Sequence, residues 1–155
     1  HLAQLVLLLL MLVGGMSGST GGGPKSLRLV LAFTSLRASI HRAIHPRAVV
    51  PVKYHGEVVD DEIVSGVWGF LLAYALIALA ATAVVAAHGY DLLTAVSASL
   101  TTLGNVGPGI GEVGAYDNFS HFPPLVKLAL SFAMLVGRLE IFTVLALFSR
   151  RFWRH

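Results

Sequence analysis

The chain contains no cysteine and carries little charge. Of its 155 residues, only 12% are Asp, Glu, Lys or Arg. Without cysteine, a disulfide framework, a thiolate metal site and a thiol nucleophile are excluded. Soluble domains usually carry about twice this charged fraction. The net charge of +3 is modest and gives no reason to expect nucleic acid as a partner.

Hydrophobic residues are abundant and lie in long runs. They make up 55% of the chain, and the runs at 67–87 and 125–149 are long enough to cross a membrane as helices. A hydrocarbon core of about 30 Å requires roughly 20 apolar residues in a helix. The sequence therefore predicts an all-α integral membrane protein that contacts membrane lipid.

The first 43 residues (1–43) predict a transmembrane helix interrupted by a loop. The apolar run 2–13 gives only about 18 Å of helix, and GGMSGSTGGGP at 14–24 cannot form a stable helix. Helical character resumes at 25–43. In transporters, such breaks lie against the conduction path, so we predict an intramembrane gating loop at 14–24.

Alternatives for this part are a flexible linker after an anchor, or a signal peptide cleaved near the glycines. The chain opens with His1 inside an apolar run, and we expect it to be a piece of a longer protein.

The segment 44–66 predicts a polar linker. Two proline positions disfavour helix there, and the acidic triplet Asp60, Asp61 and Glu62 suits the first turn of the following helix. Basic residues cluster before that helix and in the tail 150–155, RRFWRH. The positive-inside rule therefore places the linker and the basic tail in the cytoplasm.

Between the two spanning helices, the sequence predicts a re-entrant pore loop. Asp91 can cap a short helix over 92–102, which runs into the glycine-rich TTLGNVGPGIG. The unpaired carbonyls at the end of a helix carry partial negative charge, and rings of backbone carbonyls replace the water shell of a dehydrated cation. Gly104 gives this backbone unusual freedom in φ.

These elements together predict a pore repeat at 67–149, with the filter entered from outside. Its parts are a helix at 67–87, a pore helix and filter at 91–111, an outer loop at 112–124 and a helix at 125–149. The alternative for the glycine-rich stretch is an ordinary outer loop with glycine turns.

Arg138 lies near the middle of the last apolar run. A mid-membrane arginine costs about 2.5 kcal/mol or more unless it faces protein or water. Glu140 points to a different helix face, so it is not the natural partner. The side chain either forms a buried ion pair or supplies a fixed positive charge that borders a pore and steadies the gating loop.

Three motifs resemble a known family. TLGNVGPGIGEVG followed by FAMLVGRLEIFTVLALF resembles the last pore repeat of TrkH-type potassium-uptake transporters, in the superfamily of Trk, Ktr and HKT transporters. GGMSGSTGGGPK resembles the interrupted helix of their third repeat, and IHPRAVVPVK the loop that follows. The resemblance covers nearly the whole chain, but the first two repeats and the first half of the third are absent.

The resemblance implies four repeats of helix, pore loop and helix around one pore, in a bacterial inner-membrane protein. It also implies a homodimer of full-length subunits and a cytoplasmic ring of nucleotide-binding regulatory subunits. No covalent chemistry and no cofactor are expected. Potassium is the transported ion, and nucleotides are expected only on the regulatory partner.

The resemblance also assigns roles by position. The fourth filter strand, which coordinates K⁺, would be Thr102, Leu103, Gly104 and Asn105, with Gly104 as a filter glycine that suits potassium over sodium. The gating loop would be Gly14, Gly15, Ser17, Gly18, Ser19, Thr20, Gly21, Gly22 and Gly23. Arg138 would be the family's arginine near the permeation path.

Other motifs support weaker alternatives. Residues 18–25 approximate a phosphate-binding loop, but Pro24 stands before Lys25. A membrane-embedded nucleotide-binding protein is therefore the rival function, and an inactive truncated fragment is the third. His41 and His45 have the i, i+4 spacing of metal ligands without an evident third ligand, and we predict a basic cytoplasmic surface there.

Overall fold

The computed structural model describes residues 2–16, 22–45, 50–114 and 116–139. The described helices are α1 (Leu2–Val13), α2 (Ser26–Ile44), α3 (Asp61–Ala87), α4 (Leu92–Gly104) and α5 (Pro124–Arg138). Between α2 and α3, β1 (Lys53–Tyr54) pairs antiparallel with β2 (Glu57–Val58). Two short 3₁₀ turns lie at Gly111–Val113 and Phe119–His121. These helices give the all-α architecture that the sequence predicts.

Some predicted features lie outside the described residues. They are the middle of the predicted gating loop (Ser17, Gly18, Ser19, Thr20 and Gly21), most of the second half of the predicted helix 125–149, and the basic tail 150–155.

The helix α3 begins earlier than the apolar run 67–87 that it contains. Its 27 residues start at Asp61, with Asp61 and Glu62 in the first turn. Carboxylates there complement the partial positive charge of a helix N-terminus, so the helix takes in the end of the predicted linker. At 1.5 Å per residue α3 is about 40 Å long. Among the described helices, it is the one long and apolar enough to cross a membrane.

The helix α4 begins as predicted but ends later. The Asp91 carboxylate accepts a hydrogen bond from the backbone N–H of Leu93 at 3.2 Å, which confirms the predicted cap. The helix then continues through Gly104 instead of ending at Thr102. Leu103 and Gly104, which the family resemblance assigns to the filter strand, therefore form part of the last helical turn.

The end of α4 is a Schellman motif. Asn105 adopts the left-handed conformation with φ 53° and ψ 40°, which Asn tolerates better than most residues. The N–H of Val106 donates to the carbonyl of Thr101 at 2.9 Å, and the N–H of Asn105 donates to that of Thr102 at 3.1 Å. Both bonds satisfy carbonyls that a helix end would otherwise leave open, which explains why the helix extends past Thr102.

The core lies where α4 packs between α3 and α5. Near the start of α4, Ala95 and Ala98 pack with Val85 of α3 and Val126 of α5. At its end, Leu103 packs with a second group of buried residues (Phe70, Tyr74, Ala81, Ala133 and Val136). The helix α4 thus runs antiparallel to α3 and ends level with the middle of α3.

The helix α2 packs against the first half of α3. Leu31 and Ala32 of α2 form a buried group with Val67, and the indole N–H of Trp68 donates to the Ser35 hydroxyl at 3.4 Å. This contact places the start of α2, and the glycines that precede it, beside the end of α4.

Candidate functional site

Three backbone segments meet at the end of α4. The first is the glycine segment, by which we mean Gly14 and Gly15 after α1 and Gly22 and Gly23 before α2. The second is the filter turn, Thr102–Asn105, which holds the four predicted filter residues. The third is the part of α5 around Gly137. These segments touch without side chains between their backbones.

The glycine segment joins the two halves of the interrupted helix. The N–H of Ser26, at the start of α2, donates to the carbonyl of Gly15 at 3.0 Å. A Cβ built on Gly14 would lie 3.3 Å from the carbonyl oxygen of Gly22 and 3.6 Å from the Cα of Gly23. The chain therefore returns close to its own path between α1 and α2, and the absence of side chains permits that approach.

Gly22 lies against both other segments. A Cβ at this position would be 2.9 Å from the side-chain amide nitrogen of Asn105 and 3.0 Å from the carbonyl oxygens of Leu103 and Gly137. The amide nitrogen would have to shift, and the two contacts with backbone oxygens would be tighter than most real Cβ contacts. The position therefore strongly favours glycine in this arrangement.

Gly137 permits the approach of α4 to α5. A Cβ on Gly137 would overlap the carbonyl oxygen of Leu103 and lie 2.9 Å from its carbonyl carbon. Gly137 is a functional-site residue that was not predicted from the sequence. Its signal there is a lone glycine inside an apolar helical run, which usually has a packing or functional reason.

Asn105 fastens the filter turn to α5. Its side-chain amide donates a hydrogen bond to the carbonyl of Met134 at 3.1 Å. Because Met134 lies about one turn before Gly137, this bond and the Leu103–Gly137 contact fix the end of α4 at two points on the same helix.

The filter turn is helical in this structure. The Thr102 hydroxyl donates to the carbonyl of Ala98 within its own helix at 2.6 Å, and the Thr102 carbonyl accepts from Asn105. The carbonyl of Leu103 faces Gly137. The structure thus brings the four predicted residues together, but the carbonyls of Thr102 and Leu103 point at protein instead of a central axis.

Gly104 lines a cleft and has limited space for a side chain. A Cβ on Gly104 would lie 3.3 Å from a methyl carbon of Val106 and 3.6 Å from the carbonyl oxygen of Met11. A cleft of about 420 Å³ opens here between α1 and the filter turn. Its lining residues are mostly apolar or glycine (Leu7, Leu10, Met11, Gly14, Gly15, Gly22, Gly104, Asn105, Val106 and Pro108).

A row of hydroxyl groups holds the return loop, residues 106–113, against α4. The Thr101 hydroxyl donates to the carbonyl of Pro108 at 3.0 Å. The Ser97 hydroxyl donates to the carbonyl of Ile110 at 2.7 Å and accepts from its N–H at 3.1 Å. One turn earlier, the Thr94 hydroxyl accepts from the N–H of Glu112 at 3.4 Å. The hydroxyl row therefore fixes the path of the chain as it leaves the filter turn.

Tyr74 lies behind the site, at the middle of α3. Its side chain is 3% exposed. The hydroxyl oxygen lies 3.9 Å from the Cβ position of Gly23 and 4.0 Å from that of Gly104. This residue was not predicted from the sequence, because a single tyrosine in a long apolar run is typical of an ordinary core position.

Arg138 is the last residue of α5 and is exposed. It directly follows Gly137, so its backbone adjoins the filter turn.

Local contacts account for the paired histidines at the end of α2 and for Asn118 in the outer loop. The His41 and His45 rings lie 5.1 Å apart, centroid to centroid, but no third metal-ligating side chain joins them in the part of the chain that the structure describes. The Asn118 side chain accepts a hydrogen bond from the N–H of Ser120 at 2.9 Å and so caps a 3₁₀ turn.

The fold defines the class of protein: an α-helical integral membrane protein in which a short helix ends against a broken one. The chain belongs to the TrkH family of cation transport proteins, whose family model matches residues 2–154. This match confirms the resemblance found in the sequence.

The chain is similar to several curated proteins. It is 42% identical over 142 residues to the Trk system potassium uptake protein TrkH of Escherichia coli, covering 92% of this chain and 29% of that protein. It is 46% identical over 142 residues to TrkH of Halomonas elongata, with the same coverage of 92% and 29%. The chain thus spans about three tenths of the length of these relatives.

A solved structure has the same fold. The crystal structure of the potassium transporter TrkH from Vibrio parahaemolyticus matches with a TM-score of 0.88 and 41% identity, over 99% of this chain and 32% of that one.

Proposed function

We propose that this chain supplies one pore loop and part of the gate of a membrane protein that takes up potassium ions. The relatives are named potassium uptake proteins. The observation that carries the proposal is the position of the end of α4: Leu103 lies buried beside the middle of α3 and in backbone contact with the glycine break. Helix ends inside a membrane are tolerated only where protein or a water-filled path surrounds them.

In this proposal the filter turn coordinates K⁺ through its backbone. The carbonyls of Thr102, Leu103, Gly104 and Asn105 would replace part of the water shell of the ion, together with carbonyls from the other pore loops. The Schellman bonds at Thr101 and Thr102 would first have to open. Each such bond contributes about 0.5–1.5 kcal/mol net, so coordination of a cation by the released carbonyls can offset the loss.

The glycine segment is proposed as part of the gate. Residues 14–24 would form the intramembrane loop beneath the filter, and the close contacts of Gly22 with Leu103 and Asn105 support this assignment. Arg138 would place a fixed positive charge near the permeation path and steady the loop.

The remaining proposals follow from the family and from the charge distribution. The linker 44–66 and the tail 150–155 would be cytoplasmic, with the filter of the repeat 67–149 entered from the outside of a bacterial inner membrane. The complete protein would act as a homodimer under a ring of nucleotide-binding regulatory subunits. It would carry K⁺ without a cofactor and without covalent chemistry, as a transporter and not an enzyme.

The nucleotide-binding alternative at 18–25 has less support. Gly22 would have to approach phosphate oxygens, yet it already lies against Leu103, Asn105 and Gly137. Residues 18–21 lie outside the described part of the chain.

The test is the selectivity of a Gly104→Ser variant of the complete protein in cells that lack other potassium uptake. A Cβ at this position requires the Val106 methyl group to shift by only a few tenths of an ångström, so we expect the variant to fold and to admit more sodium relative to rubidium. Gly66→Ser is the matched control, because a Cβ there meets nothing within 4 Å. Selectivity unchanged by Gly104→Ser would contradict the filter assignment.

A further inference from the structure

Tyr74 carries a buried hydroxyl group that lacks a hydrogen-bond partner. Among the residues that the structure describes, its oxygen is the buried side-chain polar atom for which no partner exists. Buried hydroxyls are normally paired, and an unpaired one in a native structure calls for an explanation. Phenylalanine would fill the same space without this penalty.

The ring of Tyr74 is buried and packs against an aromatic neighbour. It stacks on Phe70, with 6.3 Å between ring centroids and 26° between ring planes. The guanidinium carbon of Arg28, on α2, lies over the ring of Phe70, on α3, at 4.0 Å from the ring centroid. The hydroxyl lies at the junction between the glycine segment and the filter turn.

The glycine segment is rich in carbonyl acceptors but presents none to Tyr74 in this arrangement. The hydroxyl oxygen is 3.9 Å from the Cβ position of Gly23, and Gly23 has φ +90°. Glycine moves between backbone conformations easily, so the backbone at Gly22 and Gly23 is free to turn a carbonyl toward the hydroxyl.

We propose that Tyr74 is a positioning residue for ion passage: its hydroxyl bonds to a carbonyl of Gly22 or Gly23 only when these residues withdraw from the filter turn. The inference rests on the proposed function. In the packed arrangement the donor is unpaired, and in the withdrawn one it is paired. A contact that differs between two arrangements shifts their populations, whereas one common to both does not.

The test is a Tyr74→Phe variant of the complete protein, assayed for rubidium uptake in cells that lack other potassium uptake. Loss of the bond favours the packed arrangement, so we expect the maximal uptake rate to fall about tenfold. The rubidium concentration for half-maximal uptake should stay unchanged. The midpoint of thermal unfolding in detergent should not fall, since the variant removes an unpaired buried hydroxyl. A purely structural role would instead lower rate and unfolding midpoint together.

Tyr90→Phe is the matched control. Its hydroxyl donates to the carbonyl of His121 at 3.2 Å, away from the filter turn, and its maximal rate should equal that of the native protein. If Tyr74→Phe takes up rubidium at the same maximal rate as the native protein, the inference is overturned but the filter assignment stands. That result is expected if ordered water pairs the hydroxyl in both arrangements. Absence of rubidium uptake by the native protein would overturn the proposed function and this inference with it.

Discussion

The carbonyl oxygen of Leu103 rests on the backbone of Gly137, so α4 and α5 touch there without a side chain between them. Small residues allow such approaches between membrane helices, where van der Waals packing and not the hydrophobic effect drives association. The contact lies one residue from Gly104 and one from Arg138. It therefore links the predicted filter to the helix that carries the predicted pore-adjacent charge.

Gly137→Ala should disturb both stability and transport. The new methyl group overlaps the Leu103 carbonyl, and overpacking of this kind costs about 1–3 kcal/mol. We expect a lower thermal unfolding midpoint and slower rubidium uptake. Gly66→Ala serves as control, because its methyl group meets nothing within 4 Å. If the unfolding midpoint of Gly137→Ala equals that of the native protein, α5 can move away from α4 without loss of stability.

Substitutions of Asn105 should separate its two contributions. Asn105→Gly tolerates the positive φ but loses the bond to the carbonyl of Met134, at a cost of about 1 kcal/mol. Asn105→Ala loses the bond and also strains the left-handed backbone, by about 1–2 kcal/mol more. Unfolding free energies should therefore fall in the order Asn, Gly, Ala. Equal stability of the two variants would show that residue 105 does not stay in the left-handed conformation.

Ser97→Ala should loosen the return loop. The change leaves the N–H and carbonyl of Ile110 without their buried partner, which costs about 1–3 kcal/mol for an unsatisfied group. Ser99→Ala is the control, because the Ser99 hydroxyl donates to the carbonyl of Ala95 in the same helix and not to the return loop as described. Amide exchange at Ile110 should be faster in Ser97→Ala and unchanged in Ser99→Ala. Equal protection of Ile110 in both variants would argue against the hydroxyl row.

Arg138→Ala should change ion flux more than folding. The side chain is exposed at the end of α5, and truncation of an exposed side chain usually changes stability by no more than about 0.5 kcal/mol. We expect altered rubidium uptake at normal membrane expression, with Arg37→Ala of α2 as the control. Unaltered uptake kinetics would remove Arg138 from the proposed path.

The order and type of the helices could be predicted from the sequence because apolar runs and caps are local signals. Asp91 identified the start of α4, and Asp61 and Glu62 indicated an early start for α3. The end of α4 could not be placed as well. A glycine-rich TLGNVG reads as loop, whereas the bonds from Asn105 and Val106 to the preceding carbonyls continue the helix to Gly104.

The meeting of the three segments was beyond sequence reasoning. Gly22, Leu103 and Gly137 are far apart in the chain, and a pattern of glycines shows where backbones can approach but not which ones do. Tyr74 is a similar case, since its importance lies in the absence of a partner for its hydroxyl within the described structure.

The hydroxyl row also limits how this segment can evolve. Thr94, Ser97 and Thr101 bond to Glu112, Ile110 and Pro108 respectively, so the two stretches pair in antiparallel order. One residue inserted between Asn105 and Pro108 would shift the register of all three pairs, whereas a substitution affects a single pair. Natural variation here should therefore change residues and preserve spacing.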